Sequence, residues 1–145
     1  MSKHYLLLFC IFMISCNSVH KQDMSLNVIK KDTLINYSIN GISAEGTEAK
    51  AIYRDKKIYK CIVSIYAETG KAIINYQFGL DSINVSEEKY SYSKSIENVK
   101  SKKDIQLDYK INYIIDYNGN IINTPISKRT DIFQELKKTI PFKLK

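Results

Sequence analysis

The sequence predicts a mainly β fold: a single antiparallel sheet, strongly twisted or partly open as a barrel, with one C-terminal helix. Three observations predict it. In the stretch Ile105–Tyr117, residues Ile105, Leu107, Tyr109, Ile111, Tyr113, Ile115 and Tyr117 recur at every second position. Strand side chains alternate between two faces, so these seven are expected to share one, with Gln106, Asp108, Lys110, Asn112 and Asp116 opposite. Upstream, Ala49–Phe78 repeats the same alternation in segments separated by turn-forming residues. Only the tail carries helical spacing, with Ile132, Phe133, Leu136 and Ile140 along one side.

Each element has its own justification. Leu26–Ile29 and Leu34–Ile39 are short apolar runs, and Asn40-Gly41 is a turn signal because both residues tolerate positive φ. Ile42–Thr47 reads as loop or bulged edge. Ala49, Ala51 and Tyr53 then alternate with polar neighbours up to the turn Asp55-Lys56-Lys57. In the next strand Tyr59, Cys61, Val63 and Ile65 are expected on one face and Ile58, Lys60, Ile62, Ser64 and Tyr66 on the other. Beyond the turn Glu68-Thr69-Gly70-Lys71, the apolar face continues through Ala72, Ile74, Tyr76 and Phe78. A two- or four-residue loop pairs Ile65 with Ile74, Val63 with Tyr76 and Cys61 with Phe78. A one-residue slip would reverse the faces.

Gly79-Leu80-Asp81 opens a turn before two expected strands, near Ile83–Val85 and through Tyr90–Ser95. Glu97–Asp104 is the expected exposed loop. After the long strand, Asn118-Gly119 suits a type I′ hairpin turn, Ile121–Asn123 returns beside the strand, and Pro125 ends the pairing. Thr130 is the expected cap of a helix over Asp131–Thr139, stopped by Pro141. A helix so short needs a surface to pack on.

The amino terminus reads as an address. Lys3 and His4 precede a run of ten apolar residues, Tyr5–Ile14. A bilayer span needs about 20, whereas the hydrophobic region of a secretory signal peptide is about this long. The following Met13-Ile14-Ser15-Cys16 resembles the lipobox of bacterial lipoproteins, with Ser15 at the small position and Met13 where Leu is usual. The resemblance implies lipidation of Cys16 as the mature first residue. Residues 1–15 are then signal peptide, 16–25 a lipidated polar tether, and 26–145 the β domain. Cys10 follows the bulky Phe9 and competes poorly. Asn17, with no acidic cluster after it, resembles the pattern of lipoproteins sent to the outer membrane and facing the periplasm.

The search for chemistry returns few candidates. Of two histidines, His4 leaves with the signal peptide and His20 lies in the tether. The domain therefore offers no imidazole for a nucleophile–base pair or a zinc site, no Cys-x-x-Cys and no phosphate loop. No catalytic residue, metal or cofactor is expected. Cys61, the only thiol of the domain, is placed in the core, since no cation is expected beside it to stabilise a thiolate. The carboxylates Glu68, Asp81, Glu87, Glu88, Asp108 and Asp116 are spread out and read as solvated. The formal net charge of +7 is dispersed along the chain. It fits a Lys-rich sheet surface and disfavours nucleic acid as a partner. Eleven tyrosines and no tryptophan leave Tyr90 and Tyr92, two residues apart on one face, as ligand-binding candidates.

The stretch Ala49–Lys60, the turn Glu68-Thr69-Gly70-Lys71, Tyr76-Gln77-Phe78 and Tyr90-Ser91-Tyr92 together resemble small uncharacterised lipoproteins of Bacteroidetes, over roughly half of the mature chain. The resemblance implies an antiparallel sheet at the cell envelope and transfers no functional residue. The expected function is a non-enzymatic envelope lipoprotein that binds a protein or small ligand, an immunity-type inhibitor being one specific form. The alternative is a carrier of a lipid or hydrophobic ligand. The membrane, through the lipid, is the expected first partner. Replacing Cys16 with Ala should abolish incorporation of a palmitate analogue in metabolic labelling. Equal labelling of the Cys16→Ala variant would refute the anchor.

Overall fold

The computed structural model describes residues 32–123, 125–126 and 128–145. The expected signal peptide, the expected tether with Cys16 and the expected strand Leu26–Ile29 lie outside the described residues. Six strands form one antiparallel sheet: β1 (Thr33–Ser38), β2 (Thr47–Arg54), β3 (Lys57–Ala67), β4 (Gly70–Phe78), β5 (Ile83–Tyr92) and β6 (Ile105–Ile115). Their spatial order follows the chain, and β1 does not pair with β6, so the sheet is open. One helix, α1 (Phe133–Thr139), follows.

The register separates two faces. On the inner face, one cross-strand row runs Tyr37, Ala49, Val63, Ile74, Glu87, Ile111 and the next runs Ile35, Ala51, Cys61, Tyr76, Val85, Tyr113. The chain after β6 crosses this face and seals it. Ile132, Phe133, Leu136 and Ile140 are all buried. Phe133 meets Tyr76 at 5.7 Å between ring centroids, and Phe142 packs edge-on against Phe78 at 5.0 Å. Each such side chain removed from water contributes about 1.5–3 kcal/mol. Burial also pushes the Cys61 thiol up to about 12, so it is a packing residue that stays protonated at neutral pH.

The C-terminal segment is latched at both ends. At its far end the Tyr53 hydroxyl donates to the Pro141 carbonyl at 2.8 Å. The amides of Ile58 and Leu144 bond Phe142 and Lys56 across the β2–β3 hairpin. At its near end Thr130 binds Glu87 by its amide nitrogen (2.9 Å to Oε2) and its hydroxyl (2.6 Å to Oε1), while the Tyr109 hydroxyl donates to Oε1 at 2.8 Å. Glu87 is fully buried in the row between Ile74 and Ile111. It is therefore not the solvated carboxylate that its sequence neighbourhood predicts. Thr130 is spent on this contact and does not cap α1, whose N-cap is Ile132 with no side-chain bond.

Other expectations are corrected by geometry. Two bulges break the alternation. Ile52 pairs with Lys60 but Tyr53 with Ile58. Tyr59 is thus the extra residue, and Ile58 turns inward in its place while the Arg54 guanidinium stacks 4.2 Å from the Tyr59 ring centroid. On β6, Lys89 pairs with Tyr109 but Tyr90 with Leu107, leaving Asp108 as the extra residue. Ile105 and Leu107 therefore leave the inner face that their odd numbers predict. A bulge adds one residue to one strand and inverts the alternation beyond it.

The β3–β4 loop is the two residues Glu68-Thr69, closed by Ala67 and Gly70, and this pairs Cys61 with Tyr76, Val63 with Ile74 and Ile65 with Ala72. Cys61 opposite Phe78 belongs to the four-residue loop alone. The faces hold, but the pairing lies two residues from the expected one. Gly70 serves close approach rather than the turn: a Cβ there would sit 2.1 Å from the Tyr90 carbonyl oxygen. The expected strands Ile83–Val85 and Tyr90–Ser95 are one strand, β5. The long strand is an edge strand, and Ile121–Asn123 returns beside it as expected, through a bridge between Ile115 and Ile121 and hydrogen bonds of Ile114 with the Ile122 amide and the Asn123 side chain. Of the Asn118-Gly119 pair only Gly119 has positive φ, so the turn is not type I′. Asp116 organises it instead, its Oδ1 accepting the Asn118 and Asn120 amides at 2.8 and 2.9 Å.

Two leucines test this arrangement. Leu136→Ala should cost about 2–5 kcal/mol, because it opens a cavity beneath the sealed face. Leu107→Ala, beyond the bulge and 49% exposed, should stay within about 0.5 kcal/mol. Urea melts of both variants measure the contrast, and similar midpoints would contradict the placement of the bulge.

Candidate binding face

The helix α1 packs on the inner face, and the side chains of the outer face follow from the register. One row runs Tyr66, Lys71, Tyr90, Leu107, from β3 to β6. The next runs Ser38, Glu48, Ser64, Ile73, Glu88, Lys110. Then come Asn36, Lys50, Ile62, Asn75, Ser86, Asn112, and finally Leu34, Ile52, Lys60, Gln77, Asn84, Ile114. Isoleucines are thus interspersed through the last three rows, with tyrosines at one end and amides toward the other.

Tyr90 and Tyr92 both lie on this side of β5, as their spacing predicts, and both are half-buried. Tyr90 is the better organised. Its hydroxyl donates to Glu88 Oε2 at 2.5 Å, and Lys110 Nζ holds the other carboxylate oxygen at 2.6 Å. The Lys110 ammonium first, then the Tyr90 hydroxyl, holds the Glu88 carboxyl below its ordinary range, and the same contact raises the Tyr90 phenol. Lys71 Nζ stands 5.3 Å from the Tyr90 ring centroid, within cation–π reach. Tyr92 makes no comparable side-chain contact; desolvation raises its phenol.

The segment after Tyr92 is pinned rather than loose. Glu97–Asp104 is exposed over most of its length, as expected, and is organised by two short 3-10 turns, Ile96–Asn98 and Lys102–Asp104. Asp104 is buried within it and accepts from the Ser101 amide and hydroxyl, both at 3.0 Å, and from Lys94 at 2.9 Å. The Lys94 contact, with Ser101 and the Lys100 amide, holds the Asp104 carboxyl down at about 2. The Ser93 amide in turn donates to the Asp104 carbonyl at 2.9 Å. This fixes the end of β5 beside Tyr92.

Two depressions open on this face. One of about 650 Å³ is lined by Asn36, Ser38, Lys50, Ile62, Ser64 and Tyr66 among others. A second of about 610 Å³ lies over β4 to β6 and is lined chiefly by amide side chains. A third, of about 570 Å³, sits at the end of the sheet that α1 does not reach, beside Ile65, Ala72, Lys89, Ser91, Asp108 and Thr130. Among the described residues no cluster of His, Cys, Asp and Glu suits a metal ion. No helix among them is long and apolar enough to cross a membrane.

Sequence spacing places Tyr90 and Tyr92 together but cannot place Tyr66, Lys71 and Leu107 beside Tyr90. Those neighbours come from three other strands, and only the exact register joins them. The Asn and Gln residues of the second depression read along the chain as ordinary polar positions. Comparison with family models, with curated proteins and with solved structures returned no match.

Proposed function

We propose that the chain is a non-enzymatic binding protein of the cell envelope, tethered by a lipid on Cys16 and presenting the outer face of its sheet to a protein or small ligand. The observation that carries this reading is the asymmetry of the two faces. One is closed by Ile132, Phe133, Leu136, Ile140, Phe142 and Leu144 of the C-terminal chain; the other is left open by that segment. This open face combines Ile52, Ile62, Ile73 and Ile114 with Tyr66 and Tyr90, none of them fully exposed, among Lys, Glu and amide groups. Tyrosine and isoleucine side chains interleaved with polar groups are the usual composition of a recognition surface.

A small anchored inhibitor of the immunity type is the specific form this arrangement fits, since it needs a rigid face and no reacting groups. A carrier of hydrophobic ligands is less well supported. The inner face, where such a ligand would be sheltered, is filled by Phe133, Leu136, Ile140 and Phe142. The proposed address, the outer membrane facing the periplasm, rests on the lipobox-like Ser15-Cys16 and on Asn17 after it.

Photo-crosslinking in the native envelope tests the assignment of faces. A photoreactive phenylalanine analogue at Tyr66 or Tyr90 should give a discrete adduct, and the same group at Lys138, on the solvent side of α1, should give none. Adducts from Lys138 alone would move the function to the sealed side and contradict the proposal.

A further inference from the structure

The second depression has a chemistry of its own. Two adjoining rows meet in it: Asn75, Ser86 and Asn112 from one, Lys60, Gln77 and Asn84 from the other. Among the described residues, the amide groups of Asn75, Gln77, Asn84 and Asn112 make no hydrogen bond to a neighbouring side chain or backbone. Asn123, at the margin, spends only its Oδ1, which accepts the Ile114 amide at 3.0 Å. Each free amide offers two donors and an acceptor with two lone pairs from one planar group. Lys60 is half-buried beside them with no carboxylate within ion-pairing distance among the described residues. Lys110, by contrast, is already held by Glu88.

We infer that this depression binds a short saccharide and prefers one that carries a carboxylate. A vicinal diol donates and accepts from adjacent oxygens, which is the pattern an amide group complements. Several amides spread over two rows match hydroxyls spread around a sugar ring. The volume, about 610 Å³, is in the range of small-ligand sites. An extended peptide fits less well. It would bring side chains that need apolar pockets, whereas Val85 and Tyr113 are buried beneath the floor and Ile114 alone offers accessible apolar surface. The unpaired Lys60 ammonium supplies the preference for an acid sugar. This inference rests on the outer face being the binding face, and it assigns a ligand class to one end of it.

Nuclear magnetic resonance titration of the ¹⁵N-labelled full chain in detergent tests it, with cellobiouronic acid and its neutral counterpart cellobiose as probes. Both sugars should shift amides of β4 to β6 around Asn75, Asn84 and Asn112, with the acid bound about three- to fivefold more tightly, as one exposed charge pair allows. Lys60→Gln should erase that preference and keep cellobiose binding. The double change Asn84→Ala with Asn112→Ala should weaken both sugars by about tenfold or more. These side chains are exposed and unbonded, so the variants should keep the wild-type spectrum elsewhere. Absence of shifts with either sugar at about 50 mM, well above the Kd of even a weak site, would overturn the inference. Shifts centred on Tyr66 and Tyr90, or shifts at the amides from an acidic peptide but from neither sugar, would overturn it too. Neither failure would touch the crosslinking result at Tyr66 and Tyr90, which reads a different part of the face.

Discussion

The structure depends on one polar contact made inside an apolar face. Glu87 stands in a row with Val63, Ile74 and Ile111, where a leucine or valine would satisfy the sheet alone. A buried carboxylate without partners costs several kcal/mol. Here all its neighbours donate: the Thr130 amide and hydroxyl and the Tyr109 hydroxyl. The contact converts a position that would repel the covering chain into the one that registers it. Thr130 fixed at Glu87 sets where the segment enters the face, and Pro141 and Phe142, bonded to Tyr53 and Ile58, set where it leaves. The seven residues of α1, too few to persist as an isolated helix, lie between those two fixed points.

Sealing one face frees the other. With the apolar rows of β2 to β5 covered by the C-terminal segment, the outer side chains are not needed to build a core. They are set by the strands' shared register into a tyrosine row, a charged row and two amide-rich rows, with isoleucines interspersed. The two bulges sharpen the division. At Tyr59 the extra residue lets Ile58 enter the core and leaves an aromatic ring outside under Arg54. At Asp108 it turns Leu107 outward beside Tyr90. The close approach of β5 to β4 is equally local in cause: Gly70 lets the Tyr90 backbone come near β4 where a side chain could not. The core and the candidate face therefore come from the same strand pairings.

Much of the fold is legible in the sequence because alternation reports burial directly. Ala49, Ala51, Cys61, Val63, Ile74, Tyr76, Tyr113 and Ile115 are all inward and buried, as their spacing predicts, and so is the apolar side of the tail helix. What alternation cannot report is a change of phase. Nothing in Tyr109-Asp108-Leu107 announces a bulge, since an unbroken strand and a bulged one have the same pattern until the partner is known. Pairing offsets of two residues keep every face intact, so the apolar pattern could not choose between Cys61 opposite Phe78 and Cys61 opposite Tyr76. Glu87 was illegible for a different reason. A lone carboxylate in a polar stretch, Ser86-Glu87-Glu88-Lys89, looks solvated until Thr130, 43 residues later, is brought to it. The candidate face shares that limit, because its rows are assembled from strands far apart in the chain.

The central claim is that Glu87 holds the C-terminal segment to the sheet, and hydrogen exchange of the Thr130 amide reads that contact directly. Thr130 lies in no helix or strand, so an amide there without a buried partner would exchange nearly as fast as one in an open loop. Held by Glu87, it should exchange only when the segment detaches. Its protection should then fall within about tenfold of that of the Ile74 amide in the central strand β4, as expected of one cooperative unit. Rapid exchange at Thr130 while Ile74 remains protected would show that the segment lifts off independently, and would contradict the account.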